Sequence, residues 1–346
     1  MTLTQTAILV KQAIIISAVA LILGILSFTG YRIWYANYLK NLPPVEEKPD
    51  IKFGPLPQID FPKSNVSSSN FTYSLDTTTG GLPKVGVDPG FEKIIKVYFV
   101  TQTFATFLSP EKSQNLAGKF GISSSPEIIS ETKYRFKDSY KTLTVDLDNG
   151  NFTYLNEATI SAQANIDEDN KLVSDFKQIL LNLGVLKENL RNGRSKVNFS
   201  KISEATVARI SLWPDSIDKK PIVTADFNKS EVNALVVGRS NALDNYVTLN
   251  VNYYPIDTST FATYALKTPE AAFDDLKNGK GVIVVEPEKP QVSISSISLG
   301  YYLPPDYSPY LQPIFIFEGA HFVAYVSAIS EITVSGATQS LNTSSQ

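Results

Sequence analysis

The sequence predicts an α+β body carried behind one N-terminal membrane-spanning helix. Three observations predict it. Residues 12–31 read QAIIISAVALILGILSFTGY, with no charge until Arg32. Short β-branched and aromatic stretches with a period of two recur through the rest of the chain. A few isolated amphipathic stretches, each with helix-start signals, interrupt them.

The apolar run comes first. About 20 apolar residues span a hydrocarbon core of about 30 Å as a helix, and a helix satisfies its own backbone polar groups in lipid. Tyr31, Trp34, Tyr35 and Tyr38 gather at one end, as aromatic residues do at a membrane–water interface. The anchor region is therefore read as residues 1–36, with the span at about 12–33. Lys11 before the run resembles the start of a cleaved signal peptide, but no A-x-A-like site follows. The uncleaved anchor is the stronger reading. Flanking charge is balanced, with Lys11 and the α-amine before the run and Arg32 and Lys40 after it. The body is placed outside the cytoplasm because long C-terminal domains translocate largely regardless of local charge.

Residues 37–64 form a Pro-rich linker, with prolines at 43, 44, 49, 55, 57 and 62. Such a stretch is either an extended polyproline spacer or a strap lying flat on the body. A first α+β module is expected at 65–160 and a second at 161–334, with a disordered tail at 335–346. Strands are expected at 94–102, 131–136, 142–146 and 151–156 in the first. In the second they fall at 207–213, 222–227, 231–237, 246–254, 261–265, 281–285, 292–302, 311–318 and 322–329. Asp148-Asn149-Gly150 marks a hairpin, because Asn-Gly accepts positive φ. Pro313 argues for an edge strand.

Three helices are expected. Ser109-Pro110-Glu111 and Thr268-Pro269-Glu270 each combine an N-cap hydroxyl, an early proline and a first-turn acid. The other runs from about Asp167, with Leu172, Phe176, Ile179, Leu180 and Leu183 on one face, and stops at Gly184. The similar Ser/Thr-Pro-Glu openings suggest a repeated helix-plus-sheet unit.

The C-terminal text YALKTPEAAFDDLKNGKGVIVV (264–285), ISLGYYLPPDYSPYLQPIFIFEG (297–319) and HFVAYVSAI (321–329) resembles PepSY-like modules. In particular it resembles the YycH/YycI class of membrane-anchored extracytoplasmic regulators and related bacterial membrane-anchored proteins. The stretch 210–238 fits the latter group too. The resemblance implies PepSY-like repeats and binding or regulation rather than turnover. It carries over no functional residues.

Composition narrows the chemistry. The chain has 346 residues, 43% hydrophobic and 19% charged, with a net charge of −3 and no basic block. Nucleic acid is therefore not an expected partner. There are no cysteines, which removes disulfides, thiolate nucleophiles and Cys-ligated metals. The single histidine, His321, falls in an expected turn. Asp146, Asp148 and Glu157 have an EF-hand-like spacing, but glycine comes one position early, at Gly150, and the flanking alternation favours a hairpin. No nucleophile elbow, P-loop or dinucleotide fingerprint occurs. No catalytic residue, metal ligand or cofactor is expected.

The reading is a non-catalytic binding or regulatory protein, with the lipid bilayer and another membrane or envelope protein as partners. Tyr301 and Tyr302 are neighbours on a strand, so one ring should point inward and the other outward; with Tyr310 they are the candidate contact residues. The alternative is an envelope glycan-binding protein or hydrolase, and a third possibility is a passive component of a surface assembly. Protease added to intact cells should degrade the body while leaving a cytoplasmic control protein whole; a body protected until the cells are lysed reverses the orientation.

Overall fold

In the computed structural model, residues 3–40, 48–78, 80–158, 165–202 and 205–330 are described. The expected tail at 335–346 lies outside them. The chain forms two compact units, Met1–Glu47 and Lys48–Gln346.

The first unit is one helix, α1 (Leu3–Lys40). Its aromatic residues meet at i,i+4 spacing, where helical side chains are neighbours. Tyr31 stacks on Tyr35 at 5.8 Å and Trp34 on Tyr38 at 5.7 Å. Among the described residues no helix is long and apolar enough to cross a membrane. The expected span lies partly outside them, since the side chains of residues 12–15, 18 and 19 are not described.

The second unit is mixed α+β, with many strands and few helices. In chain order it contains β1 (Thr72–Leu75), β2 (Ile94–Val100), α2 (Ser109–Lys119), β3 (Glu127–Ser130), β4 (Lys133–Asp138), β5 (Lys141–Asp146) and β6 (Phe152–Asn156). Next come α3 (Asp169–Leu183), α4 (Glu188–Asn192), β7 (Ser195–Ile202), β8 (Ala205–Leu212), β9 (Ile222–Val223), β10 (Val232–Val237) and β11 (Tyr246–Val251). The unit closes with β12 (Ile256–Ala265), α5 (Pro269–Lys277), β13 (Val282–Val285), β14 (Gln291–Tyr302), β15 (Tyr310–Gly319) and β16 (Phe322–Ser327).

These strands make two eight-stranded sheets. One has the order β3-β4-β5-β6-β11-β10-β8-β7. The other runs β1-β14-β15-β16-β13, with β2 joining β15 to β12 and β9 lying on β14. Pairing is antiparallel except for β1 and β9, which both run parallel to β14. The approach of β9 is close: a Cβ at Gly300 would stand 2.9 Å from the Pro221 carbonyl oxygen.

The expected division at residue 160 is not how the sheets divide the chain. The path runs from the second sheet (β1, β2) into the first (β3 to β8), back for β9, out again for β10 and β11, and home for β12 to β16. The join across residue 160 is β6 with β11, from Phe152↔Val251 to Leu155↔Thr248. The suggested repeat holds only for element order. After α2 four strands form a simple meander, whereas after α5 strand β13 pairs with β16.

The first sheet alternates over β4 to β6, burying Phe136, Leu143, Val145, Phe152 and Tyr154 under α2 and α3. The α3 stripe of Leu172, Phe176, Leu180 and Leu183 is buried, and Gly184 takes the left-handed conformation at φ 79°. The Thr268 side chain caps α5 by accepting from the Ala271 N–H. Ser109 differs: it lies inside α2 behind Leu108 and accepts from the Thr106 N–H instead.

The second sheet is covered on both faces. Phe315, Phe317, Phe322 and Ala324 pack on one side with Ala272 and Leu276 of α5. Ile314, Ile316, Val323 and Tyr325 pack on the other. Strand β15 is therefore central, contrary to the edge position expected from Pro313. The missing proline donor is accommodated where β15 changes neighbours. The Ala328 N–H donates to the Pro313 carbonyl at 3.1 Å, and the Ala328 carbonyl accepts from Lys267 N–H at 2.8 Å.

The linker expectation resolves in favour of the strap. Residues 41–47 lie outside the described set, but from Lys48 onward the segment is built into the body. Asp50 accepts from the Thr263 N–H at 2.7 Å, a backbone hydrogen bond that draws its carboxyl down to about 2. Phe53 stacks on Tyr310 at 4.8 Å, Leu56 is 0% exposed, and Phe61 packs on Tyr302 at 5.2 Å. The Gln312 side-chain amide donates to the Pro57 carbonyl at 2.9 Å. Hence Leu56→Ala should lower the stability of the detergent-solubilised chain by about 2–5 kcal/mol in urea unfolding. A loose spacer residue would cost under about 0.5 kcal/mol.

Candidate functional site

Residues 303–309 (LPPDYSP) connect β14 to β15, and openings surround this loop. Three prolines fix φ and stiffen it. Its ends are tied down as well: the Leu303 N–H donates to the Val223 carbonyl at 2.8 Å, and Val100 N–H donates to the Pro309 carbonyl at 2.9 Å. The Tyr307 hydroxyl donates to the Val100 carbonyl at 3.1 Å, and the Asn252 amide donates to the Pro305 carbonyl.

A cavity of about 210 Å³ lies between this loop and the strap, lined by Pro57, Asp60, Tyr302, Asp306, Tyr307 and Tyr310 among others. A second, of about 180 Å³, lies between Tyr307, Tyr254 and the hairpin turn at Asp146, Asp148 and Asn149. A third, of about 260 Å³, runs under Tyr254 and Asp306 past Asn151 and Lys133. Shared residues link them: Tyr307 joins the first to the second, and Asp306 joins the first to the third. The Tyr254 and Tyr307 rings meet edge to face at 5.6 Å.

The surroundings of these openings are acidic. Burial pushes the Tyr254 phenol up, and the charges of Asp146, Asp306 and Glu231 add to it. Burial also raises the Glu231 carboxyl, against the pull of Lys229. Tyr302 is pushed up by burial first, then by Asp60 and Glu231. Its hydroxyl is buried and has no hydrogen-bond partner among the described residues.

The candidate tyrosines separate. Tyr302 and Tyr310 come together in the first cavity. Tyr301 does not: it is 0% exposed, its hydroxyl donates to the Lys96 carbonyl at 3.1 Å, and its ring meets Tyr98 edge-on at 5.5 Å. Nor does Tyr302 point to solvent, being 2% exposed. The expectation of one outward ring fails because this sheet is buried on both faces. Tyr310 is half-buried, with one face occupied by Phe53. Residues 57–60 and Asp306–Tyr307 were not foreseen. The available signal was an aromatic residue held between prolines in a loop joining two strands.

The Asp146 to Asn151 turn is the expected hairpin. Asp146 accepts from Asp148 N–H at 2.9 Å, Asp148 accepts from Ala105 N–H at 2.8 Å, and Gly150 has φ 76°. No group of three or more acids or histidines able to hold a metal occurs among the described residues. His321 is exposed in the β15–β16 turn at φ 53°.

A different polar cluster lies behind Tyr301. The Tyr98 hydroxyl donates to Asp218, Lys96 pairs with Asp218 at 3.2 Å, and Lys220 pairs with Glu92 at 3.0 Å. It fastens the 217–220 turn to β2 and has no opening of its own among the cavities described above.

No family model matches the chain, and no curated protein matches it. Among solved structures it is similar to a crystal structure of an uncharacterized protein from Eubacterium rectale ATCC 33656. The likeness covers 73% of this chain and 87% of that one, at 11% identity and a TM-score of 0.42.

The Tyr98 cluster has a pH signature. Burial raises the Asp218 carboxyl, but the Tyr98 hydroxyl and the Lys96 ammonium outweigh it and leave the group below its usual 3.8. Glu92 is also lowered, with its backbone and Lys220 outweighing burial. A carboxyl lowered on folding stabilises above its unfolded value and loses that contribution as pH falls through the folded one. The urea midpoint should therefore drop as the pH falls below about 4, and less steeply in Asp218→Asn.

Proposed function

We propose that the chain is a membrane-tethered, extracytoplasmic binding module that recognises another membrane or envelope protein. The single observation carrying the reading is the cleft between the strap and the β14–β15 loop. There tyrosine side chains and two rim carboxylates, Asp60 and Asp306, share one concavity on a stiff, two-sided sheet. The reading as recognition rather than turnover is supported by the Ser308 hydroxyl, which is committed to the Tyr310 carbonyl at 3.2 Å. The tether rests on the uncharged run at 12–31 and the aromatic cluster that follows it. The likeness of 264–329 to PepSY-like and YycH/YycI-like regulators points the same way, towards regulation by contact.

A second reading, recognition of an envelope glycan, draws on the same tyrosine side chains and carboxylates. The two readings separate experimentally. Mild crosslinking of intact membranes, followed by capture of the full chain, should yield a defined protein adduct that Tyr307→Ala reduces. Retention on cell-wall material, with no protein adduct, would replace the first reading by the second.

A further inference from the structure

We infer that the cleft between the strap and the β14–β15 loop takes a cationic group, an ammonium or guanidinium carried on an extended peptide segment. This deepens the binding-module reading and rests on it.

Three observations converge. The first is charge. Asp60 and Asp306 line the cavity, neither makes an ion pair or hydrogen bond among the described residues, and no Lys, Arg or His shares the lining. Negative charge with no local counter-charge in a concave site concentrates cations.

The second is hydrogen-bonding balance. Three donors of the lining are already committed: Tyr307 to the Val100 carbonyl, Ser308 to the Tyr310 carbonyl and Gln312 to the Pro57 carbonyl. The two carboxylates remain as acceptor-only groups, beside the hydroxyls of Tyr302 and Tyr310 and the Gln58 amide, which both give and accept and make no side-chain hydrogen bond among the described residues. Tyr302 is 2% exposed, lines the cavity, and keeps a hydroxyl without a partner among the described residues. A ligand rich in N–H donors meets the two carboxylates with charge-assisted hydrogen bonds.

The third is shape. Tyr302, Tyr307 and Tyr310 line the opening, and an aromatic wall favours a cationic group over an anionic one. Pro57, Pro304 and Pro309 stiffen the walls, and the tyrosines beside them make the aromatic-lined kind of groove in which extended peptides dock. A volume of about 210 Å³ holds one side-chain head rather than a larger ligand.

The test uses the full-length chain in nanodiscs, with empty nanodiscs as control and saturation-transfer NMR as readout. The probes are argininamide, its uncharged isostere citrullinamide, and N-acetylglucosamine. Argininamide should bind about fivefold more tightly than citrullinamide, and lose about fivefold in the Asp60→Asn/Asp306→Asn double variant. Both substituted side chains sit on the exposed rim, so the variant keeps its fold, which its unfolding curve checks. Tyr302→Phe should weaken argininamide without affecting citrullinamide. Equal binding of the two isosteres, tighter binding of N-acetylglucosamine, undiminished binding by the double variant, or no binding of argininamide overturns the inference. A crosslinked partner recovered alongside any of those results leaves the binding-module reading intact. Argininamide binding without a recoverable partner upholds the cationic site and removes that reading.

Discussion

Strand β15 is an apolar run with no water-facing side, and both of its faces must be covered. Its alternate residues feed separate cores: Phe315 and Phe317 towards α5, Ile314 and Ile316 towards the strap. A sheet of this kind behaves like the buried parallel sheets of α/β proteins, although its long strands pair antiparallel. Helix α5 covers one face. The other depends on a segment without regular structure, whose Ile59 and Phe61 pack against Tyr302 and Tyr325. The position of the cleft follows, because the strap and the loop that ends β14 leave a gap where their coverage stops.

That arrangement also explains why the cleft combines apolar walls with a polar rim. Its floor belongs to a core strand, so Tyr302 is buried there with its hydroxyl unmatched. Its edges belong to solvent-exposed turns, where Asp60 and Asp306 keep their hydration. Prolines on both walls restrict how far either edge moves. The concavity is thus held open by the same packing that stabilises the sheet.

Local features were legible in the sequence because they depend on near neighbours. The Thr268 cap, the Gly184 terminus, the α3 stripe and the Asp148–Gly150 hairpin each follow from contacts a few residues apart. Strands with a clear alternation, such as β5 and β6, were found close to their true limits. Strands β1, β3 and β7 were not, since β3 and β7 expose successive residues and show no buried periodicity. Sheet membership was out of reach: nothing in the text of β2 says that it joins β12 to β15. Tyr302 was picked out as a strand aromatic and Tyr310 as a candidate contact beside an expected strand. Asp60 and Asp306 carried no signal, because the partnership between them exists only once the strap has been laid down.

The strap is among the earliest parts of the body to be synthesised, and it bonds to some of the last. The hydrogen bond from Gln312 to Pro57 joins positions 255 residues apart. Closing a loop of that size is slow and comes late in folding. A ribosome, or any channel that passes this polypeptide from its N-terminus, therefore handles a strap without its last partners for almost the whole of the chain's length. Compaction around β15 awaits the final hairpin, and a product truncated before it would leave Pro57 without its Gln312 partner although Asp50 could still meet Thr263.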